Sequence, residues 1–219
     1  MKVLLFGASG MVGQGVLREC LLSPDVESVV SVVRRATGTR DAKLHEVVCA
    51  DLFDLSPIEA ELKGLDACFY CAGVSSAGMK EAEYVRLTYT MTMRTAGTLL
   101  RLNPAMTFVY VSGAGTDSSE QGRSMWARVK GRTENALLGL GFQSAYMFRP
   151  GFIAPVHGVK SKTGWYNAVY VVMRPLTSLL LRFPKIATTT EQMGKAMLSV
   201  AKVGYPQRIM ESADINAAG

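Results

Sequence analysis

Short apolar runs and longer stretches of helical periodicity alternate along the chain. Continuous runs of valine, leucine and phenylalanine predict buried strands at residues 2–6, 28–33, 46–49, 67–71, 107–111 and 145–148. Apolar side chains at helical spacing predict helices after residue 11, at 81–101, at 125–138 and at 190–203, and a short strand is predicted at 207–210. Strands that alternate with helices are typical of a parallel sheet covered on both faces.

The fold that this alternation favours is α/β, a doubly wound parallel sheet of the Rossmann type. Right-handed crossovers between parallel strands leave it as the leading topology. With 219 residues the chain is expected to form one domain over residues 1–219, in which residues 151–219 form a small helical lid on the substrate side.

An apolar stretch at residues 165–183 has about the length of a membrane span. A span tolerates few charges, however, and Arg174, Pro175 and Arg182 interrupt this stretch. We therefore expect no membrane span. The stretch is expected instead to line a substrate pocket, or to contact a second copy of the chain or another protein.

The charge of the chain is unevenly placed. Lysine and arginine number 24 against 18 acidic residues, and residues 150–219 hold 8 basic and 3 acidic side chains of these. The basic excess indicates a solvated face, an anionic ligand or an acidic partner surface. No basic stripe with interleaved aromatic residues occurs, so nucleic-acid binding is not expected. Four cysteines are too few for a disulfide framework and no secretory signal is evident, which favours a cytoplasmic protein.

A glycine-rich turn lies between the first predicted strand and the first predicted helix. Gly7 permits the tight turn, Gly10 lets the backbone approach a pyrophosphate, and Gly13 lets helix and strand pack closely. The helix N-terminus offers free N–H groups to phosphates. This context predicts a dinucleotide-binding turn whose residues include Gly7, Ser9, Gly10, Met11, Val12 and Gly13.

Two arginines follow the second strand, at Arg34 and Arg35. A cofactor with a free ribose 2′-hydroxyl usually meets an acidic residue at this place, and none is present. Guanidinium groups can pair bidentately with a 2′-phosphate. The sequence therefore predicts NADP(H) rather than NAD(H).

Two further strand ends supply candidate cofactor contacts. After the third strand, Asp51 can accept a hydrogen bond from an adenine amino group while Leu52 packs on the ring. After the fourth strand, the small residues at Cys71, Ala72 and Gly73 let a ribose lie against the backbone. Cys68 and Cys71 spell CxxC, but on a strand they point to opposite faces, so we expect no metal site.

These stretches together resemble the short-chain dehydrogenase/reductase superfamily. The chain is similar to its atypical branch, which contains the Tat-interacting-protein-type oxidoreductases and the NmrA-like NADP(H)-binding proteins, and GxxGxxG is the spacing of the extended and atypical branches. The likeness extends over nearly the whole chain. The matching stretches are residues 7–13, 32–35, 50–51, 71–73, 111–115, 129–131 and 148–151.

The resemblance implies roles for residues in the second half of the chain. Ser112, which follows Val111, matches the serine that orients a substrate carbonyl. Lys130 matches the lysine that holds the nicotinamide ribose. The segment that contacts the nicotinamide carboxamide corresponds to Pro150, Gly151, Phe152 and Ile153.

One position departs from the family pattern. The family's catalytic tyrosine lies four residues before the lysine, and here that position holds Trp126. An indole N–H donates a hydrogen bond but does not transfer a proton near neutral pH. Other tyrosines that could substitute are Tyr84, Tyr89, Tyr166 and Tyr170, and the sequence does not select among them.

Three functions remain open at this point. The first is an NADP(H)-dependent oxidoreductase acting on a small carbonyl or hydroxyl substrate, with Ser112 and Lys130 at its catalytic centre. The second is a catalytically silent protein that senses NADP(H) and changes a partner interaction. The third is an enzyme like the nucleotide-sugar epimerases, which ranks last because such enzymes carry the tyrosine that is replaced here, and because residues 152–219 leave little chain for a substrate domain.

Overall fold

The computed structural model of the chain describes residues 1–159 and 180–219. Its strands are β1 (Lys2–Phe6), β2 (Ser28–Val33), β3 (Leu44–Val48), β4 (Ala67–Tyr70), β5 (Thr107–Val111), β6 (Ser144–Arg149), β7 (Phe152–Ala154), β8 (Ala187–Thr189) and β9 (Ile209–Glu211). Its helices are α1 (Met11–Leu22), α2 (Glu81–Val85), α3 (Met91–Leu102), α4 (Met125–Gly139), α5 (Thr190–Val203) and α6 (Ser212–Ala218). A 3₁₀ helix covers Ser56–Leu62, and a π-helical turn at Arg86–Thr90 joins α2 to α3.

Seven of the described strands form a parallel sheet in the order β3-β2-β1-β4-β5-β6-β9. The chain steps outward from β1 to β3, then returns to the other side of β1 and continues outward from β4. The carboxyl ends of β1 and β4 therefore flank the point at which the strand order reverses, where doubly wound sheets bind their ligands. The predicted fold class is confirmed.

The sheet is buried on both faces, and this explains why its strands read as continuous apolar runs. On β1, Leu4 and Phe6 belong to the core cluster on one face, whereas Val3 and Leu5 belong to the cluster on the other. All four side chains are fully buried. Burial on both sides is typical of parallel sheets with helices on each face.

The described part of the C-terminal third adds both strands and helices to this core. Helix α5 packs along α1 and buries Met193 and Met197 against the sheet. β9 extends the main sheet beside β6, and β7 pairs in parallel with β8. Of the apolar stretch predicted at 165–183, only residues 180–183 are among those described. The proposed lid role of residues 151–219 stays a prediction.

A search for membrane-spanning helices covered the described residues. Within residues 1–159 and 180–219, no helix has the length and hydropathy that a membrane crossing requires.

Candidate functional site

The turn between β1 and α1 leaves an open cradle at the carboxyl edge of the sheet. Gly7 has a left-handed backbone with φ of 83°, and the Gly10 N–H donates to the Gly7 carbonyl at 2.9 Å. A Cβ on Gly10 would meet that carbonyl oxygen at an ordinary 3.4 Å, so the space beside Gly10 is free. The first turn of α1 has no side-chain cap and no acidic residue. Its N–H groups and the helix dipole therefore fit the anionic pyrophosphate of a dinucleotide.

The other two glycines of the turn are needed for packing. A Cβ on Gly7 would lie 2.6 Å from the backbone nitrogen of Ala72, and a Cβ on Gly13 would lie 2.6 Å from the carbonyl carbon of Gly7. A side chain at either position would separate β1 from its neighbours. Gly7 and Gly13 thus close the turn, while Gly10 keeps it accessible.

Ser9 lies where three clefts meet. It lines the cleft over the glycine turn and also the cleft beside the two arginines. Its carbonyl accepts a hydrogen bond from the Gln14 side chain at 3.2 Å. Met11 and Val12 form the first turn of α1 and are half-buried, and neither side chain lines the cleft over the turn. Of the predicted turn residues, Gly7, Ser9 and Gly10 line that cleft.

Arg34 and Arg35 emerge side by side at the end of β2. Both are exposed, and they line an open cleft of about 570 Å³ together with Ser9, Val33 and Ala50. Within the described ranges, neither guanidinium forms an ion pair with a carboxylate. The structure therefore brings two uncompensated cations and a hydroxyl together next to the glycine turn, which is a suitable environment for a phosphate.

The residues after β3 form one end of a neighbouring cleft of about 360 Å³. Asp51 and Leu52 line it as predicted, but one carboxylate oxygen of Asp51 accepts the Phe53 N–H at 2.9 Å. Sequence reasoning missed Phe53, Leu87 and Met91, which line the same cleft. The only sequence signals for them are that Phe53 follows Leu52 and that Leu87 and Met91 are four residues apart on the predicted helix at 81–101.

The end of β4 forms the floor of this cleft. Cys71, Ala72 and Gly73 all line it, and the Cys71 N–H donates to the Phe6 carbonyl at 3.0 Å. Burial raises the pKa of the Cys71 thiol above its ordinary value, so the thiol stays protonated at neutral pH. Cys68 packs into the core cluster on the opposite face of the sheet from Cys71, in agreement with the predicted geometry. In the part of the chain that the structure describes, no group of His, Cys, Asp and Glu residues could hold a metal ion.

The predicted catalytic residues lie at the end of β5 and on α4, beyond this cleft. The Lys130 ammonium donates to the backbone carbonyl of Ser112. The Ser112 hydroxyl donates to the Phe148 carbonyl at 3.1 Å, and the residue is only 7% exposed. Burial lowers the pKa of Lys130 to about 8, an effect that the nearby Glu134 carboxylate opposes. The spacing of the sequence thus brings Ser112 and Lys130 together, but the serine hydroxyl is directed at the backbone of β6.

Trp126 occupies the position of the family's tyrosine, one helical turn before Lys130. Its indole packs beside Gly115, where an added Cβ would lie 3.7 Å from Cη2. Of the tyrosines that could substitute, Tyr84 is buried at 1% exposure and Tyr89 lies under the Arg132 guanidinium at 4.2 Å. Burial also raises the pKa of Tyr84. Tyr166 and Tyr170 lie outside the described residues.

The segment after β6 is held by backbone contacts on both sides. The Pro150 carbonyl accepts the Ala114 N–H at 2.8 Å, and the Gly151 N–H donates to the Ser212 hydroxyl at 2.8 Å. Phe152 begins β7, and its N–H donates to the Ile186 carbonyl at 2.9 Å. Like Val111, Ser112 and Lys130, these residues and Ile153 do not line the described cleft over the glycine turn. They lie together near the ends of β5 and β6. The predicted site residues therefore form two groups, one around the glycine turn and one around Ser112 and Lys130.

A buried ion pair lies behind the second group. Arg149 Nε donates to both carboxylate oxygens of Glu134, at 3.1 and 3.0 Å, and its guanidinium also donates to the Ser118 hydroxyl at 2.6 Å. These contacts connect β6, α4 and the loop after β5. Sequence reasoning missed the pair, because its members are 15 residues apart and carry no motif.

His157 lies on the α1 side of the molecule. Its backbone is left-handed, with φ of 55°, and its Nε2 lies 2.6 Å from a Glu191 carboxylate oxygen. It lines an open cleft with Arg18 and Arg35, and Ser112 and Lys130 are absent from the lining of that cleft. The structure therefore does not bring His157 together with Ser112 and Lys130 in this cleft.

Comparison with known proteins agrees with the fold and the glycine turn. The sequence profile of the NAD dependent epimerase/dehydratase family matches residues 3–124. The protein FMP52, mitochondrial, of Meyerozyma guilliermondii is 24% identical over 204 residues, which cover 92% of this chain and 85% of the relative. The FMP52 protein of Eremothecium gossypii is 27% identical over 222 residues, covering 98% and 96%. The fmp52 protein of Emericella nidulans is 29% identical over 165 residues, covering 70% and 67%.

Solved structures share the same fold at low sequence identity. The Bordetella bronchiseptica enzyme WbmF, in complex with NAD⁺, superposes with a TM-score of 0.68 at 15% identity, covering 99% of this chain and 76% of that one. Uronate dehydrogenase of Agrobacterium tumefaciens gives a TM-score of 0.66 at 15% identity, covering 97% and 76%. At such identities the likeness shows the fold alone.

The relatives also correct one expectation. The proteins of the three fungi are named as mitochondrial, so the predicted cytoplasmic location is wrong. A small number of cysteines does not distinguish the cytoplasm from other compartments in which cysteines stay reduced.

The resemblance to the short-chain dehydrogenase/reductase superfamily is confirmed by the matched profile and by the shared NAD(P)-binding Rossmann fold. The chain belongs to the NAD dependent epimerase/dehydratase family.

Proposed function

We propose that this protein binds NADP(H) across the carboxyl ends of β1, β2 and β4 and uses it in oxidoreductase chemistry on a small carbonyl or hydroxyl substrate. The observation that carries the cofactor assignment is the shared cleft of Ser9, Arg34 and Arg35. A 2′-phosphate in that cleft would receive two guanidinium groups that have no other anionic partner among the described residues. The 2′-hydroxyl of NAD(H) carries no charge, so it would leave the positive charges of the two arginines uncompensated.

The proposed placement of the rest of the dinucleotide follows the order of the strand ends along the sheet. The backbone around Gly10 receives the pyrophosphate, the cleft beyond Leu52 receives the adenine, and the small residues Cys71, Ala72 and Gly73 leave room for a ribose along the backbone. Val111, Lys130 and residues 150–153 lie at the next strand ends and are proposed to hold the nicotinamide half. When bound, the cofactor supplies or accepts the hydride.

The protein's own part of the chemistry centres on Lys130. Its ammonium is fixed on the Ser112 carbonyl and is protonated below a pKa of about 8. It is therefore placed to hold a ribose hydroxyl and to stabilise negative charge that develops on a substrate oxygen. Ser112 would take part through its hydroxyl only if that group left the Phe148 carbonyl.

The cofactor proposal is tested by calorimetric titration of the purified protein with NADPH and, separately, with NADH. We expect NADPH to bind at least about tenfold more tightly, because charge-assisted hydrogen bonds of this kind contribute about 1.5–3 kcal/mol. In the double variant Arg34→Ala with Arg35→Ala, the two affinities should become equal. An unchanged NADPH preference in that variant would show that the arginines do not select the cofactor.

A second function is favoured by two specific observations. Trp126 replaces the proton-donating tyrosine, and the Ser112 hydroxyl is directed at a backbone carbonyl rather than at the cleft. Both fit a protein that binds NADP(H) without turnover and alters a partner contact when the cofactor binds. Tight NADPH binding without oxidation in the presence of a panel of small aldehydes and ketones, together with a partner contact that depends on cofactor, would favour this function. The epimerase-like function ranks third, because Trp126 also replaces the tyrosine that those enzymes use.

A further inference from the structure

Three arginines on the helix that runs from α2 to α3 fasten the segment after β3. The Arg86 guanidinium lies over the Phe53 ring, 4.8 Å from its centroid. The Arg94 guanidinium donates to the Phe53 carbonyl at 3.3 Å. Two helical turns further along, Arg101 forms an ion pair with Glu59 on the 3₁₀ helix. The helix therefore holds this segment at two places, Phe53 through two arginines and Glu59 through the third.

The π-helical turn at Arg86–Thr90 brings these arginines into line. Arg94 and Arg101 are seven residues apart, which is about two turns of an α-helix at 3.6 residues per turn. Arg86 and Arg94 are eight residues apart, so an uninterrupted α-helix would rotate Arg86 by about 80° away from Arg94. The π-turn accommodates the one extra residue and restores the alignment.

The turn and the residue that follows it also reach the nucleotide cleft. Leu87 in the turn and Met91 at the start of α3 both line it, together with residues of the segment after β3. π-Turns inside α-helices are rare and frequently occur at functional sites. A π-turn that aligns an arginine and lies beside two cleft-lining side chains therefore indicates that this cleft binds a ligand.

Phe53 is fixed in three ways at the mouth of this cleft. Asp51 accepts its N–H at 2.9 Å, Arg94 donates to its carbonyl, and Arg86 covers its ring. Phe53 lines the cleft, whereas Arg86 does not. The ring that Arg86 covers therefore belongs to a residue that lines the space where the base of a nucleotide would lie.

We propose that Phe53 is the aromatic wall against which the adenine base of the cofactor packs, and that Arg86 is the residue that positions this wall. The inference rests on the proposed function, because it assumes that the cleft takes a dinucleotide. An aromatic wall suits a purine, since the stacking of a base on an aromatic side chain contributes about 1–3 kcal/mol. The Arg86 cation over the Phe53 ring holds this side chain in place.

The test is calorimetric titration with two probes, NADPH and 2′,5′-ADP, which carries the adenosine half alone. Phe53→Ala should weaken the binding of both probes by about tenfold or more and by the same factor, and Phe53→Tyr should retain the parent affinity. Arg86→Gln should weaken both by about three- to fivefold, and Arg86→Lys should recover most of the loss, because a cation remains over the ring. Equal factors for the two probes locate the effect on the adenosine half.

The matched control is Arg132→Gln. Arg132 makes the same kind of contact, with its guanidinium 4.2 Å from the Tyr89 ring centroid, but neither residue lines the cleft. It should leave both affinities unchanged, whereas a general loss of stability would affect it as much as Arg86→Gln.

Two outcomes overturn the inference and can be told apart. If the parent binds NADPH and 2′,5′-ADP but Phe53→Ala and Arg86→Gln bind them within twofold of the parent, or lose NADPH affinity alone, Phe53 is not the adenine wall. If the parent binds neither probe and no NADH, the proposed cofactor function is itself wrong, and the inference fails with it.

Discussion

Glu134 on α4 and Arg149 at the end of β6 form an ion pair in which the carboxylate is completely shielded from solvent. The Glu134 side chain is 0% exposed and that of Arg149 is 11% exposed. The same guanidinium reaches Ser118 in the loop after β5 and lies 3.6 Å from a Glu211 carboxylate oxygen on β9. One buried pair therefore joins the strand ends that carry Ser112 and residues 150–153.

Removing one partner of this pair should be costly. In Glu134→Gln the buried Arg149 keeps its charge, and only the half-exposed Glu211 at 3.6 Å remains to compensate it. We therefore expect a loss of about 3 kcal/mol in the free energy of unfolding, measured in urea. Asp25→Asn provides the control, because Asp25 and Lys202 form an ion pair in which both side chains are about half exposed. It should cost less than about 1 kcal/mol. Equal losses in the two variants would show that the buried pair contributes no more than a surface pair.

The sequence predicts the central strands well, because each is buried on both faces and reads as an unbroken apolar run. The predicted bounds of the strands at 2–6, 28–33 and 107–111 are those of β1, β2 and β5. β7 and β8 were missed, since strands of three residues are too short to show any period. The π-turn was missed because a helical stretch with one extra residue still reads as a helix.

The candidate site shows the same division between local and distant signals. The glycine turn and the end of β4 are predictable because each is a contiguous stretch with a known backbone requirement. Phe53 and Met91 reach the cleft from elements that are 38 residues apart, and only the folded chain brings them together. The orientation of the Ser112 hydroxyl toward Phe148 is likewise set by the pairing of β5 with β6 and is not encoded in spacing.

Substitution of Gly10 should affect cofactor binding, whereas substitution of Gly13 should affect the stability of the fold. Gly10→Ala places a methyl group in the free space, at 3.4 Å from the Gly7 carbonyl oxygen, so the thermal midpoint should change little while NADPH affinity falls by about tenfold or more. Gly13→Ala forces the new methyl group into the Gly7 backbone, so it should destabilise the fold by several kcal/mol, as overpacking does at its upper range. Thermal unfolding and calorimetric titration of both variants check this. Loss of NADPH binding in Gly13→Ala without loss of stability would contradict it.

Lys130 should give the fold a characteristic alkaline pH dependence. Its pKa is lowered from 10.5 to about 8 in the folded chain, so between these values the unfolded state binds more protons than the folded state. The contribution of Lys130 to the free energy of unfolding should therefore increase as the pH rises from about 8 to about 10.5. It should decrease again as the pH is lowered through this range.

The contribution of Lys130 to this pH dependence is measured by comparison with Lys130→Met. Other groups titrate in the same range, so the quantity to measure is the difference between parent and variant in urea unfolding at pH 7.5 and pH 10. We expect the parent to gain up to about 2 kcal/mol relative to Lys130→Met, which keeps the aliphatic stem but cannot titrate. A pH-independent difference would mean that Lys130 titrates at its ordinary pKa.

Trp126→Tyr tests whether the missing tyrosine limits catalysis. The new phenol would lie one helical turn before Lys130, whose ammonium favours the ionised form of a nearby phenol and so makes it a better proton donor at neutral pH. We expect NADPH oxidation with small aldehydes to rise by at least about 100-fold over the parent, since a positioned general acid contributes 10²–10⁴ in rate. Trp126→Phe is the control, because it makes the same space without a hydroxyl. If Tyr and Phe at this position give the same rate, the new hydroxyl does not reach the substrate, and the missing tyrosine is not what limits turnover.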